Sequence, residues 1–234
     1  MTTSKTIKDF SDFITLASYF GIEVNNNQLN KFKKYYEILL DWNTKINLIS
    51  RASLKHTDGE NDTVLEKHFL DSIIFLPEIE GLKDQVPRVF DIGSGGGFPG
   101  IPLAIMKPEW HFTLAESVTK KATFLRTLIK ELELKNAEVI NERVEKLNQE
   151  SKFKEKYDIV TARAITNLTE LIKYALPLLK PKGFLAAYKS KDIDLELKEA
   201  TKIINKNKLK LKIFSKELNG IQRKLITLSC SDIF

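Results

Sequence analysis

Residues Arg88 to Met106 constrain this chain more than any other stretch. A short apolar run, Arg88–Ile92, breaks into Gly93-Ser94-Gly95-Gly96-Gly97-Phe98-Pro99-Gly100, and Ile101 to Met106 then reads as a helix with Pro102 tolerated in its first turn. Glycines at such a turn permit positive φ and let the backbone approach a ligand closely. Downstream, short apolar strands alternate with helices, which predicts a parallel sheet covered on both faces. Strands are expected at Arg88–Ile92, His111–Ala115, Ala137–Asn141, Asp158–Ala162, Gly183–Lys189, Lys208–Phe214 and Lys224–Cys230. The last two flank Asn219-Gly220, a strong hairpin signal that makes the final strand antiparallel.

Seven mostly parallel strands ending in an antiparallel one describe the Rossmann-like α/β fold of class I methyltransferases, whereas a nucleotide-binding sheet normally ends on a parallel strand. This domain is expected over residues 81–234. Residues 1–80 read as a helical extension. Apolar residues recur at helical spacing in Ile7 to Phe20, with Gly21 as a stop, and again in Leu29 to Trp42. Ile46 to Arg51 is short and β-branched, and the polar loop His56 to Asn61 follows. Thr63 and Glu66 have capping-box spacing for a helix that runs to Leu76, before Pro77.

The glycine turn alone admits two ligands, because Gly95, Gly97 and Gly100 also satisfy the dinucleotide fingerprint. Counted from the strand end, however, the third fingerprint glycine falls on Phe98, so the helix start cannot hug a pyrophosphate in the usual way. Asp91, just before the first glycine, suits a cationic amino-acid ligand and would repel a diphosphate. S-adenosylmethionine carries an ammonium and a sulfonium, and is the favoured cofactor. Gly93 and Gly95 would approach it.

Glu116 ends the second strand roughly twenty residues past Gly93, where an acid can accept hydrogen bonds from ribose hydroxyls of either ligand. After the third strand, Asn141 to Leu147 falls where adenine would lie, with Val144 and Glu145 as candidate contacts. The fourth strand delivers Arg163 to the carboxyl edge of the sheet, beside the switch point where ligands bind.

Taken as a set, DIGSGGGFPGIP from Asp91 to Pro102, ESVTKKATFL from Glu116, YDIVTARA from Tyr157, PLLKPKG from Pro177, KHFLDS from Lys67 and Asn47-Leu48-Ile49 resemble the bacterial 16S rRNA guanine-N7 methyltransferase family, glucose-inhibited division protein B. The resemblance covers nearly the whole chain. It implies donor contacts at Gly93, Phe98, Val144, Glu145 and Arg163. The implied acceptor is a guanine in a decoding-region loop of 16S ribosomal RNA.

Guanine N7 carries a lone pair and no proton at neutral pH, so attack on the methyl group needs positioning and electrostatics but no general base. Thr161-Ala162-Arg163-Ala164 lacks the acid- or asparagine-Pro-Pro-aromatic signature of exocyclic-amine methylation, and Cys230 is misplaced for a cytosine-C5 nucleophile. A cation suits guanine O6, and the catalytic candidates are Arg163, Arg143 and Lys189. Phe98 or Tyr188 could stack on a splayed base, though either could equally be core. Lys120, Lys121, Arg126, Lys189 and Lys191 are candidate phosphate contacts.

His68 and Asp71 read as a structural helix-surface pair, and the three histidines have no metal-ligand spacing, so no metal is expected. Cys230 is expected to be a buried strand residue. The net charge of +6 suits a polyanionic partner but fits a lysine-rich composition equally well. With no signal-like start and no membrane-length apolar run, a monomer in the cytoplasm is expected, acting on 16S rRNA or a small ribosomal subunit. Two alternatives remain: methylation of a protein or small molecule, and cofactor and RNA binding without turnover.

Overall fold

A computed structural model describes residues 6–50, 62–82, 85–190 and 193–231. Seven strands form one sheet: β1 (Arg88–Ile92), β2 (His111–Ala115), β3 (Ala137–Ile140), β4 (Tyr157–Arg163), β5 (Leu179–Ser190), β6 (Lys210–Leu218) and β7 (Ile221–Ser229). Their order is β3-β2-β1-β4-β5-β7-β6. The pairs from β3 through β5 are parallel, and β7 is antiparallel to both neighbours. The order reverses between β1 and β4, which opens a crevice at their carboxyl ends.

The hairpin strands run longer than the sequence pattern predicts. Asn219 and Gly220 both adopt positive φ, 52° and 71°, so the connection is two residues long and pairing begins at Leu218 and Ile221. Cys230 lies beyond the end of β7 and is exposed, which corrects the expectation of a buried strand residue.

Helices α1 (Phe10–Tyr19) and α2 (Asn26–Asn43) precede a π-helical segment (Leu65–Leu70), α3 (Asp71–Ile73) and α4 (Leu76–Glu80). Asn25 and Gln28 close α2 with a reciprocal capping box. The cap expected at Thr63 falls on Asp62, whose carboxylate accepts from the Val64 and Leu65 amides. Glu66 is buried and turned elsewhere: its carboxylate accepts from Asn219 and pairs with Arg223. Ile46 to Ser50 is irregular backbone with bends and no strand, the Asn43 side chain accepting from the amides of Leu48 and Ile49. The loop of residues 56–61 and Lys191 lie outside the described residues.

The change of pattern near residue 80 does not mark a separate core. Phe13, Phe32 and Phe69 share one apolar cluster with Phe112 and Leu114 of β2 and Phe184 of β5. Covering the sheet are α5 (Gly100–Met106), α6 (Thr119–Glu131), α7 (Val144–Leu147), α8 (Leu168–Ala175) and α9 (Asp194–Lys206). A second cluster, including Phe90, Val160, Leu171 and Ile226, fills the opposite face.

Candidate active site

The turn after β1 is pinned along its whole length. Gly93, Gly95 and Gly97 hold φ of 63°, 55° and 97°, a region that favours glycine. The Ser94 amide donates to Ala115 O at 3.1 Å and the Gly95 amide to Glu116 Oε2 at 2.9 Å, which ties the turn to the end of β2. Glu116 Oε1 accepts from the Val118 amide at 2.7 Å, so this buried carboxylate orders the loop after β2 as well as the turn.

Asp91 stands behind the turn. Expected from sequence to meet the ligand directly, it has no exposed surface, and its Oδ1 accepts from Thr161 Oγ1 at 2.7 Å. Burial pushes its carboxyl up to about 6, opposed by hydrogen bonds from Thr161, Ser94 and Gly100. Its reach to a ligand is therefore through the turn it supports.

In front of the turn is a cavity of about 390 Å³, within the usual range for small-molecule sites. Gly93, Ala115, Val144, Glu145, Ile165 and Tyr174 line it. Gly93 presents a bare backbone there, and a Cβ on it would meet Ile165 Cδ1 at 2.9 Å. The bare backbone of Gly93, the carboxylates of Glu142 and Glu145 and the apolar side chains of Val144 and Ile165 give this lining groups suited to an amino-acid nucleoside carrying a positive charge.

A second cavity, of about 560 Å³, opens on the other side of the loop after β4 and shares Thr166 with the first. Lys67, Asp71, Arg163, Tyr188, Lys189 and Arg223 line it. Ala164, between Arg163 and Ile165, is held at φ 55°, a sparsely populated conformation for a residue with a side chain. This kink sends Ile165 over Gly93 and leaves Arg163 on the second cavity.

Arg163 is clamped by the N-terminal segment. Its Nη1 donates to Lys67 O at 2.9 Å and pairs with Asp71 Oδ2 at 3.2 Å, and its Nη2 is 3.0 Å from His68 Nδ1. A guanidinium only donates, so Nδ1 accepts and the ring proton sits on Nε2. Burial, with Arg163 and Lys67 nearby, lowers the His68 pKa to about 3 and keeps the imidazole neutral. Beneath lies the Phe98 ring, 5.0 Å from the guanidinium carbon.

The expected site residues thus divide. Gly93, Val144 and Glu145 line the first cavity, Gly95 and Glu116 buttress its edge, and Asp91 lies beneath. Arg163 and Lys189 line the second cavity. Arg143 lines the first and so lies apart from Arg163 and Lys189. Lys189 donates to Glu196 at 2.6 Å and to Thr166 O at 3.2 Å.

The Phe98 side chain is buried against Tyr35, His68 and Phe69, which removes it as a stacking surface for a base. Tyr188 is also buried, its hydroxyl donating to Ser72 O at 3.1 Å, though an edge borders the second cavity. Lys120 and Arg126 are exposed on α6 and Lys121 is half-buried there.

The sequence reading missed the convergence of Lys67, His68 and Asp71 on Arg163, and the arrival of Arg223, whose Nε pairs with Asp71 Oδ1 at 2.7 Å. The KHFLDS match carried the signal for the first three. Nothing local marks Arg223. Among the described residues no cluster of three or more His, Cys, Asp or Glu could hold a metal, and no helix is long and apolar enough to cross a membrane.

Comparison with known proteins identifies the family. Residues 28–226 match the family described as rRNA small subunit methyltransferase G (GidB). The ribosomal RNA small subunit methyltransferase G of Lysinibacillus sphaericus (strain C3-41) is 39% identical over 200 residues, spanning 86% of this chain and 80% of that protein. That of Desulforamulus reducens is 40% identical over 188 residues, spanning 80% and 75%.

Among solved structures, a SAM dependent methyltransferase from Aquifex aeolicus aligns with TM-score 0.52 at 15% identity, covering 68% of this chain and 91% of that one. P. horikoshii TYW2 in complex with MeSAdo aligns at 0.53 and 13% identity, covering 77% and 66%. These distant likenesses show a shared fold. With its glycine turn, two joined cavities and this extent of sequence identity, the chain belongs to the rRNA small subunit methyltransferase G family of S-adenosylmethionine-dependent methyltransferases.

Proposed function

We propose that this chain methylates N7 of a guanine in a decoding-region loop of 16S ribosomal RNA, acting in the cytoplasm as a monomer on the small ribosomal subunit or an assembly intermediate of it. The observation that carries the reading is the state of the proton acceptors in the second cavity. Both carboxylates there are held by cations: Asp71 by Arg163 and Arg223, Glu196 by Lys189. His68 accepts from Arg163 and has a pKa lowered to about 3. Such groups are poorly suited to take a proton, and a nucleophile that carries a lone pair and no proton needs none of them.

Bound S-adenosylmethionine supplies an electrophilic methyl group on a sulfonium. The chain's own groups do the placing. Gly93 and the turn would accept the amino-acid portion, Glu116 would serve the ribose, and Val144 and Glu145 would flank the base. Ile165 excludes water above Gly93. On the acceptor side, the donors of Arg163 not engaged by Lys67, Asp71 and His68 are available to guanine O6, which fixes N7 in line with the methyl group.

Transfer of label from methyl-labelled S-adenosylmethionine to small subunits from a strain lacking the gene tests this. Label in small-subunit RNA is expected. Label in protein, or none in any fraction while S-adenosylhomocysteine still binds, would favour one of the alternative readings: another substrate or a binding module.

A further inference from the structure

We infer that Tyr35, a residue of the N-terminal helix α2, is a positioning residue for the methyl-donor site, holding the glycine turn and the ring beneath Arg163 in one arrangement. Tyr35 is fully buried, and its hydroxyl donates to the carbonyl oxygen of Gly96. The Gly97 amide on the same peptide unit donates to Ser94 O at 2.7 Å. That peptide is therefore held at both ends, from within the turn and from α2. A Cβ on Gly97 would meet the Tyr35 hydroxyl at 2.5 Å, so the hydroxyl and this glycine occupy complementary space.

The ring of Tyr35 extends the same link. It stacks on Phe98 with centroids 5.4 Å apart and planes 17° from parallel, and Phe98 in turn carries Arg163 5.0 Å over its ring. Glu116 pins Gly95 from β2 and Tyr35 pins Gly96 from the opposite side. With both sides fixed, the turn meets the cofactor already in its bound shape, which lowers the ordering cost of binding. The N-terminal helix thereby forms part of the cofactor site without touching the cofactor.

Tyr35→Phe keeps the stack and removes the hydroxyl. Calorimetry with S-adenosylhomocysteine should show affinity weakened by about 3- to 10-fold, the range for one buried neutral hydrogen bond. KM for S-adenosylmethionine should rise in step, with kcat at saturating cofactor and KM for RNA near those of the parent. Tyr35→Leu, which also removes the ring beneath Phe98, should in addition lower kcat. Unchanged S-adenosylhomocysteine affinity in folded Tyr35→Phe, with only a lower melting temperature, would reduce Tyr35 to a packing residue and overturn the inference. If Tyr35→Phe does not fold, Tyr35→Trp and Gly97→Ala crowd the same contact and must both weaken S-adenosylhomocysteine binding; normal binding by either overturns it. Because the binding readout involves no acceptor, it stands or falls separately from the identity of the RNA substrate.

Discussion

Arg163 at the end of β4 and Asp71 at the start of α3 pair at 3.2 Å across 92 residues of sequence, and Asp71 reaches on to Arg223 of β7 at 2.7 Å. One carboxylate thus aligns two guanidinium groups on the second cavity, and all three side chains are largely buried. An ion pair of this kind is costly to break from one side, because the partner is left charged and poorly solvated.

Asp71→Asn should therefore cost about 3 kcal/mol of folding stability, measurable by denaturant unfolding, since two buried cations lose their counter-charge. Methyl transfer should fall while S-adenosylhomocysteine affinity is retained. A variant as stable as the parent would show that the pairing contributes little.

Arg163→Ala should lower methyl transfer on the order of 100-fold, the scale for losing one aimed donor at a reacting centre. Some stability is lost as well, because the guanidinium packs on Phe98 and partners Asp71, but Arg223 still satisfies Asp71. Initial rates beside a thermal melt separate the two effects. Arg163→Lys should recover little, since an ammonium cannot reproduce the planar fork that serves Lys67 O, Asp71 and His68 together.

His68 contributes a pH dependence of known sign. Its pKa falls from 6.5 to about 3 on folding, so protons bind the unfolded chain more tightly. The stability it supports is complete above 6.5 and is lost progressively as pH falls from 6.5 toward 3. Between pH 7.5 and 5 the parent should lose about 2 kcal/mol relative to His68→Gln, by urea unfolding at each pH. Parallel stability curves would contradict a neutral, buried imidazole.

Asp91 acts in the opposite direction. Its pKa rises from 3.8 to about 6 on folding, so the protonated form favours the folded state. That contribution is full below 3.8 and is lost as pH rises through 6. Relative to Asp91→Asn, the parent should gain about 3 kcal/mol of stability on going from pH 7.5 to below 4, read from the same unfolding series.

The sheet was legible because each strand carries its own pattern: apolar runs bounded by glycine and polar residues predict β1 and β2 to the residue, and Asn219-Gly220 marks the hairpin. The glycine turn was legible because its positive φ values call for glycine, whereas the distant contacts that pin it, from Glu116 and Tyr35, were not. Asp91 was misjudged because position before a glycine says nothing about depth, and the side chain points under the turn to Thr161. The separation of Arg143 from Arg163 and Lys189 was not legible, because position after a strand end does not tell which of two neighbouring cavities a loop residue faces. The clamp on Arg163 was legible only as the KHFLDS match that contains Lys67, His68 and Asp71, without their meeting on the arginine. His68, Asp71 and Arg223 lie on segments whose local patterns describe helix and strand surfaces, and their meeting depends on how the helical stretch that carries His68 and Asp71 packs across β4 and β7, which β5 separates.

The most direct test of the functional claim is the position of the transferred methyl group. Small subunits from a strain lacking the gene, incubated with the chain and S-adenosylmethionine, can be treated with borohydride and aniline, which cleave RNA at N7-methylguanine, and the breaks read by primer extension. A single new break at one guanine of a decoding-region loop, absent without cofactor and with Arg163→Ala, is the predicted result. Methyl incorporation into that RNA with no such break would contradict it, because the methyl group would then sit on another atom.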